Sequence, residues 1–205
     1  MGFYQNHILP GIVNRVCMSS QILGQRGKIV SKASGRVLEI GVGSGLNLPF
    51  YDFQKISSLL GLEPSGKMIA MAAKQAQKLK IDVEFINTTA CEIPLDSNSI
   101  DTVVVTYTLC TIPDVLHSLG EMKRVLKQGG KLHFSEHGQA PDSSVKYWQN
   151  KLTPFWKIIG GGCHLNRMIP ELILGGGFRI QEMETLYLPG WKPLTFNFLG
   201  TAVKD

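Results

Sequence analysis

Val37-Leu38-Glu39-Ile40-Gly41-Val42-Gly43-Ser44-Gly45 joins a short apolar run to three glycines at alternate positions. A run of this length, rich in branched aliphatic residues and closed by glycine, reads as a strand buried on both faces. The glycines then permit a tight turn in which a ligand can approach the backbone, since no Cβ stands in the way. In an open α/β sheet, ligands bind just past the carboxyl end of a strand, which is where this turn falls.

Outward from this turn, strand and helix patterns alternate. Residues 58–62, 83–86, 102–105 and 132–134 are further short strand-like segments bounded by turn residues. Between them, the spacing of Val115, Leu116, Leu119, Met122, Val125 and Leu126 predicts a helix over residues 113–127. Pro113 suits its first turn, and Gly129-Gly130 is expected to end it. Residues 4–32 also read as helical, with Ile8, Leu9, Ile12, Val13 and Val16 on one face. Alternating strands and helices imply a doubly wound parallel sheet. Residues 178–188 and 196–203 are strand-like with no helical pattern between them, so an antiparallel hairpin at the sheet edge is expected. Gly175-Gly176-Gly177 follows a helix and precedes a strand, which makes it a helix end and turn rather than a ligand loop.

The glycine turn alone is compatible with several nucleotides. Its spacing is GxGxG, whereas the dinucleotide fingerprint is GxGxxG, and neither Asn47 nor Leu48 supplies the missing glycine. Glu39 precedes the first glycine by two residues. A carboxylate there repels a pyrophosphate and suits the cationic methionyl part of S-adenosylmethionine. Glu63 closes the second strand, where an acid accepts hydrogen bonds from ribose hydroxyls. An NAD-linked oxidoreductase on the same architecture is therefore the weaker alternative. A non-catalytic domain that binds S-adenosylmethionine without turning over an acceptor is the other.

Over residues 36–136 the chain resembles the class I S-adenosylmethionine-dependent methyltransferases, in the order VLEIGVGSG, LEPS, CEIPLDSNSID, VVVTYTLCTI and EMKRVLKQGGKLHFSE. The last string resembles the methyltransferase type 11 group in particular. The resemblance implies a Rossmann-like, seven-stranded, mostly parallel sheet with an antiparallel C-terminal hairpin and helices on both faces. It implies a single domain over residues 1–205: an N-terminal helical lid (1–33), a cofactor-binding core (34–136) and an acceptor-site segment with the C-terminal strands (137–205). It also implies that Glu39, Gly41, Gly43 and Gly45, with Asn47 beside them, hold the methionyl portion, and that Glu63 holds the ribose. Pro64, Ser65 and Met68 would border the adenine, and Thr106 with Tyr107 would lie under the methyl donor. Many relatives carry an acid for the adenine amino group where this chain has Thr89, so the Thr89 hydroxyl or the backbone of Ala90 and Cys91 is expected there instead. Farther on, GSGLNLPFY, TLCTI, SEHG, WQNKLTPFWKIIGGGCHLNR and GTAVK are similar to the alkyl-thiol S-methyltransferases and to bacterial phosphatidylethanolamine N-methyltransferases. The mammalian thiol enzymes carry a hydrophobic N-terminal segment whose counterpart is not seen here, so their membrane anchoring is not carried over.

Methyl transfer from a sulfonium needs alignment and exclusion of water more than it needs a catalytic triad. A base helps when the acceptor is a thiol or a protonated amine. His137, in SEHG after the fifth strand, is the leading candidate, followed by His164 in the glycine-rich GGGCHLN loop; Tyr107 is placed to orient acceptor or donor. Trp148, Phe155 and Trp156 are expected to wall the acceptor pocket, which favours a lipophilic small molecule: a thiol, a phospholipid amine or a quinone-like ring.

The bulk numbers set outer bounds. A chain of 205 residues, 43% hydrophobic and 18% charged, can bury a full core and is not disordered. No stretch reaches the roughly 18 to 20 apolar residues of a membrane span, and no secretory signal is legible, so a cytoplasmic protein is expected. The net charge of +5 favours anionic surfaces. The basic residues are scattered, though, and Lys67, Lys74, Lys78 and Lys80 read as one solvated helix face, so nucleic acid is not an expected partner. Weak peripheral membrane contact is the most the charge supports, because Arg15 is the one clear cation on the polar face of the N-terminal helix. Cys17, Cys91, Cys110 and Cys163 are far apart with no CxxC pair, which predicts packed thiols and no metal.

Overall fold

The computed structural model describes residues 18–205. Helix α1 (Ser20–Val30) is followed by β1 (Gly35–Ile40), β2 (Ile56–Leu62), α2 (Gly66–Leu79), β3 (Glu84–Ile86) and β4 (Ile100–Thr106). Then come α3 (Val115–Val125), β5 (Leu126–His137), α4 (Ser143–Ile159), α5 (Ile169–Gly175), β6 (Arg179–Tyr187) and β7 (Phe196–Val203). The seven strands form one sheet in the order β3-β2-β1-β4-β5-β7-β6. Strands β1 to β5 are parallel, whereas β7 runs antiparallel to both β5 and β6. The expected C-terminal hairpin therefore forms, with its second strand inserted inside the sheet and β6 at the rim.

Period-two alternation sorts the strands onto two apolar layers. Leu38 and Ile40 of β1, Val103 and Val105 of β4, and Leu132 and Phe134 of β5 pack with Leu119 and Met122 of α3 and Ile169 and Ile173 of α5. Val37 and Val104 face the other way, into a layer with Val30, Leu48, Tyr51 and Ala76. By the same alternation Glu39 lies on this second side, toward α1. Helix α1 packs on β5, on β7 and on the short turn Leu48–Phe50. Of the helix expected over residues 4–32, the described residues form only Ser20–Val30, with Met18 and Ser19 before it and Ser31 and Lys32 after it outside the helix; residues 4–17, with Ile8, Leu9, Ile12, Val13 and Val16, lie outside the described residues.

Two boundaries differ from the sequence expectation. Helix α3 starts at Val115, because the Asp114 carboxylate accepts the His117 amide at 3.2 Å and caps it; Pro113 lies outside the first turn. The helix stops at Val125 instead of running on to Lys127, and Leu126, fully buried, passes straight into β5 opposite Ile100. Gly129 and Gly130 thus sit within the first half of β5, at the register shift that re-pairs Lys131 with Thr102. Gly175-Gly176-Gly177 ends α5 as expected, with Gly177 in the left-handed region. The four lysines of α2 and its end are exposed.

Candidate active site

The strand order reverses between β1 and β4, so the loops at their carboxyl ends flank a crevice. On the β1 side, Gly41 and Gly43 both adopt left-handed backbone, at φ +72° and +56°. They differ in surroundings. A Cβ on Gly41 would lie 2.6 Å from the Thr108 side chain, whereas one on Gly43 would meet nothing nearer than Met68 Cε at 3.6 Å. The open space over Gly43 is what a bound ligand requires. The Gly43 amide donates to Glu63 at 3.2 Å, and the other Glu63 oxygen accepts from Ser65 at 3.0 Å. Burial raises the Glu63 carboxyl above its usual value, against the pull of these two amides. Ser65 caps α2 through Met68, so Gly43, Glu63, Ser65 and Met68 meet at one end of the crevice. Pro64 is exposed beside them.

Below the loop lies a buried polar cluster. Glu39 is 1% exposed and accepts from Asn47 Nδ2 at 2.9 Å and from the Tyr51 hydroxyl at 2.8 Å. Burial pushes its carboxyl up to about 7, with Tyr51, Arg26 and Asn47 opposing the shift. Asn47 also donates to Thr106 Oγ1 at 2.9 Å, and Arg26 Nη1 donates to Asn47 Oδ1 at 3.0 Å and to Thr106 Oγ1 at 2.5 Å. The Arg26 guanidinium sits 4.9 Å from the centre of the Tyr107 ring. Its Nε is buried without a partner among the described residues. A buried carboxylate and a buried, incompletely paired guanidinium at one loop suit a zwitterionic group, which the methionyl end of S-adenosylmethionine supplies. Arg26 escaped the sequence reading because a single cation in an amphipathic helix ordinarily faces water.

Tyr107 follows β4 with φ +52°, an uncommon conformation for an aromatic residue, and its hydroxyl donates to Asn197 Oδ1 at 2.8 Å. The next turn hangs on Glu136, whose carboxylate accepts from the amides of Thr108 (2.7 Å), Leu109 (3.0 Å) and Cys110 (3.4 Å). From the other side Arg167 donates to the carbonyls of Leu109 and Ile112. This clamp brings together three residues from distant parts of the chain. Cys163 Sγ lies 3.5 Å from Cys110 Sγ and 3.9 Å from His137 Nδ1. Burial opposes the charged form of His137, yet its hydrogen bond to Cys110 and the charge of Glu136 leave its value raised. His164 packs on the same turn, with Nδ1 at 3.2 Å from the Cys110 carbonyl; burial and Arg167 lower its value.

Other expected residues are placed less centrally. Thr89 is exposed and Ala90 buried, while Cys91 Sγ faces Ser118 Oγ at 3.3 Å. Trp148 and Phe155, expected to wall the acceptor pocket, are 52% and 72% exposed. Helix α4 buries the stripe Val145, Gln149 and Thr153 instead, which turns those two rings outward.

A methyltransferase domain family matches residues 38–134, the stretch that carries the glycine loop, Glu63 and most of β5. Thiol S-methyltransferase TMT1B of Homo sapiens is 33% identical over 190 residues, covering 90% of this chain and 76% of that protein. Phosphatidylethanolamine N-methyltransferase of Cereibacter sphaeroides is 31% identical over 64% of each chain. A methyltransferase structure from Thermotoga maritima shares the fold, with a TM-score of 0.69 at 24% identity over 98% of this chain and 100% of that one. With a crevice suited to a zwitterionic donor, and with this level of identity along most of its length, the chain belongs to the S-adenosylmethionine-dependent methyltransferases.

Proposed function

We propose that this methyltransferase acts on a small lipophilic acceptor, an alkyl thiol before a phospholipid amine or a quinone-like ring. The observation that carries this reading is the polar trio Cys110, His137 and Cys163 at the carboxyl edge of the sheet, in a chain that is 33% identical to a human thiol S-methyltransferase over 90% of its length. When bound, S-adenosylmethionine supplies a methyl group on a positively charged sulfur. The chain's own residues align and desolvate the reactants. Arg26 and Glu39 hold the two charges of the methionyl end, Gly43 admits it to the backbone while Gly41 and Gly45 shape the turn against Thr108, Leu48 and Ala72, and Glu63 takes the ribose hydroxyls. Pro64, Ser65, Met68 and the Thr89–Cys91 turn border the base. Thr106 and Tyr107 form the floor beneath the reacting centre, and His137, with His164 behind it, receives the acceptor's proton.

A screen of alkyl thiols, phospholipid amines and reduced quinones with labelled donor tests the acceptor class. Turnover confined to amines or quinones would remove the thiol reading. His137→Ala is expected to lower turnover by about 100-fold, as loss of a general base does, while S-adenosylhomocysteine affinity stays within a factor of two or so. An unchanged rate would take His137 out of the proton transfer.

Among the described residues no helix is long and apolar enough to cross a membrane. Peripheral contact is a separate matter, and the outer face of α4 supports it. Tyr147, Trp148, Phe155 and Ile158 are more than half exposed there, interleaved with exposed Lys146 and Lys151. Aromatic and aliphatic groups among cations suit the interface of an anionic bilayer. Binding to phosphatidylglycerol vesicles is expected to exceed binding to phosphatidylcholine, and the double change Trp148→Ser with Phe155→Ser should weaken it about tenfold in flotation assays. Equal recovery of wild type and variant would place the contact elsewhere.

A further inference from the structure

We propose that Cys110, His137 and Cys163 form a three-ligand site for a zinc ion, with its fourth coordination position open to an acceptor thiol. The thiol part rests on the acceptor class proposed above; the metal part does not. The three ligand atoms lie within 4.8 Å of one another. In a tetrahedral site with Zn–S of about 2.3 Å and Zn–N of about 2.0–2.1 Å, sulfurs stand about 3.8 Å apart and sulfur and nitrogen about 3.6 Å apart. The observed separations are 3.5 Å for the sulfur pair and 3.9 Å from Cys163 Sγ to His137 Nδ1. The protein therefore holds the donors near metal-binding spacing before any ion arrives. A disulfide, by contrast, would need the sulfurs to close to about 2.05 Å.

The donor set and its support fit the same reading. Two sulfurs and one imidazole suit a borderline-soft cation, and three protein ligands with one open position are the pattern of catalytic rather than structural zinc. Each donor sits on a fixed element. Cys110 is on the turn clamped by Glu136 and Arg167, and His137 ends β5, paired with Asn197 of β7. Cys163 follows α4, where its amide donates to the Gly160 carbonyl. His137 Nε2 is buried and has no partner among the described residues, so the ring's polar contact runs through Nδ1, the nitrogen turned toward Cys163. Glu136 and Arg167 are oppositely charged and both beside the trio, so a dication bound by two thiolates leaves the local charge nearly balanced.

Binding is a proton exchange and involves no oxidation. As the two sulfur–metal bonds form, the Cys110 and Cys163 thiols release their protons to solvent, and His137 coordinates through neutral Nδ1 with its proton on Nε2. A thiol entering the open position loses its proton in the same way. The metal then does for the acceptor what the free imidazole does in the unmetallated form.

Cobalt(II) is the probe. Full-length protein, reduced and freed of metal, is titrated with cobalt(II) and followed by its sulfur-to-metal charge-transfer and tetrahedral d–d absorption. Stoichiometric appearance of both bands, and their displacement by zinc, is expected. Cys163→Ser, at the least buried of the three positions, should lose affinity beyond the roughly 10–100-fold that an outer-shell change costs, and Cys110→Ser should do the same, while Cys91→Ser retains the bands. Retained S-adenosylhomocysteine binding by Cys163→Ser shows that the fold has survived. Bands absent from the wild type, or present at full affinity in Cys163→Ser, would overturn the site. A stoichiometric alkyl thiol should shift the bands; bands that thiol leaves unmoved would overturn the open position. Neither readout depends on methyl transfer, so failure of the site and failure of the acceptor reading are told apart.

Discussion

Glu39→Gln is expected to strengthen the unliganded protein above neutral pH and to weaken its hold on the donor. The two effects have opposite signs because one carboxylate serves both. In the folded chain burial raises Glu39 to about 7 from an ordinary value of 4.5. A carboxyl with a raised folded value contributes stability that is present below its unfolded value and lost as pH climbs through its folded value. The wild type thus loses stability between about pH 4.5 and pH 7, on the order of 2–4 kcal/mol once both states are ionised. Glutamine has no such dependence. Its oxygen can take the Asn47 amide, and its amide can donate to the Tyr51 hydroxyl, which then accepts where it donated before and offsets part of the gain. The donor's ammonium, however, loses a negative charge in a dry setting, which is expected to cost about 10- to 100-fold in affinity. Thermal denaturation at pH 5.5 and pH 8.5, with and without S-adenosylhomocysteine, reads both. A variant less stable than wild type at pH 8.5, or one that binds as tightly, would contradict the role given to Glu39.

The second large effect separates two glycines of one loop. At Gly43 a valine finds room in the free protein, because the nearest atom to its Cβ is 3.6 Å away, but it stands where the ligand must lie. Gly43→Val is expected to lower donor affinity by about 100-fold or more while costing roughly 1–3 kcal/mol of stability from its φ of +56°. At Gly41 the order is reversed. A Cβ would press on the Thr108 side chain at 2.6 Å from a backbone at φ +72°, so Gly41→Val is expected to fail first in folding, seen as a lower yield and an early melting transition. Equal damage from both changes, in binding and in melting, would show that the loop does not divide these tasks.

How much of this was legible in the sequence depends on the range of the interaction. The seven strands, the terminal hairpin and the Gly41–Gly45 turn were readable because period and turn chemistry are local. The α3 boundary was misread by two residues at each end: proline and paired glycines are strong punctuation, but the Asp114 cap and the burial of Leu126 decided the ends. Arg26 was not legible, since what buries it is the register of α1 against β5 and β7, a tertiary fact. The meeting of Cys110, His137 and Cys163 was not legible: without a CxxC pair the two cysteines read as packed thiols, and His137 read as a base on its own. Close spacing marks sites built on one loop; here each residue follows a different element, and only the sheet order brings those ends together. The outward turn of Trp148 and Phe155 was readable in principle, because Val145, Gln149 and Thr153 keep a four-residue period that the rings do not share.

The insertion of β7 between β5 and β6 has a consequence for how the chain is made. A ribosome delivers β1 to β5 first, and these can pair as they emerge. The outer edge of β5 then stays open, and β6 cannot fill it, because β6 bonds only to β7. Until residues 196–203 have left the tunnel, the unpaired N–H and C=O groups along that edge of β5 are exposed to neighbouring nascent chains, which makes that interval the one in which chaperone cover matters most.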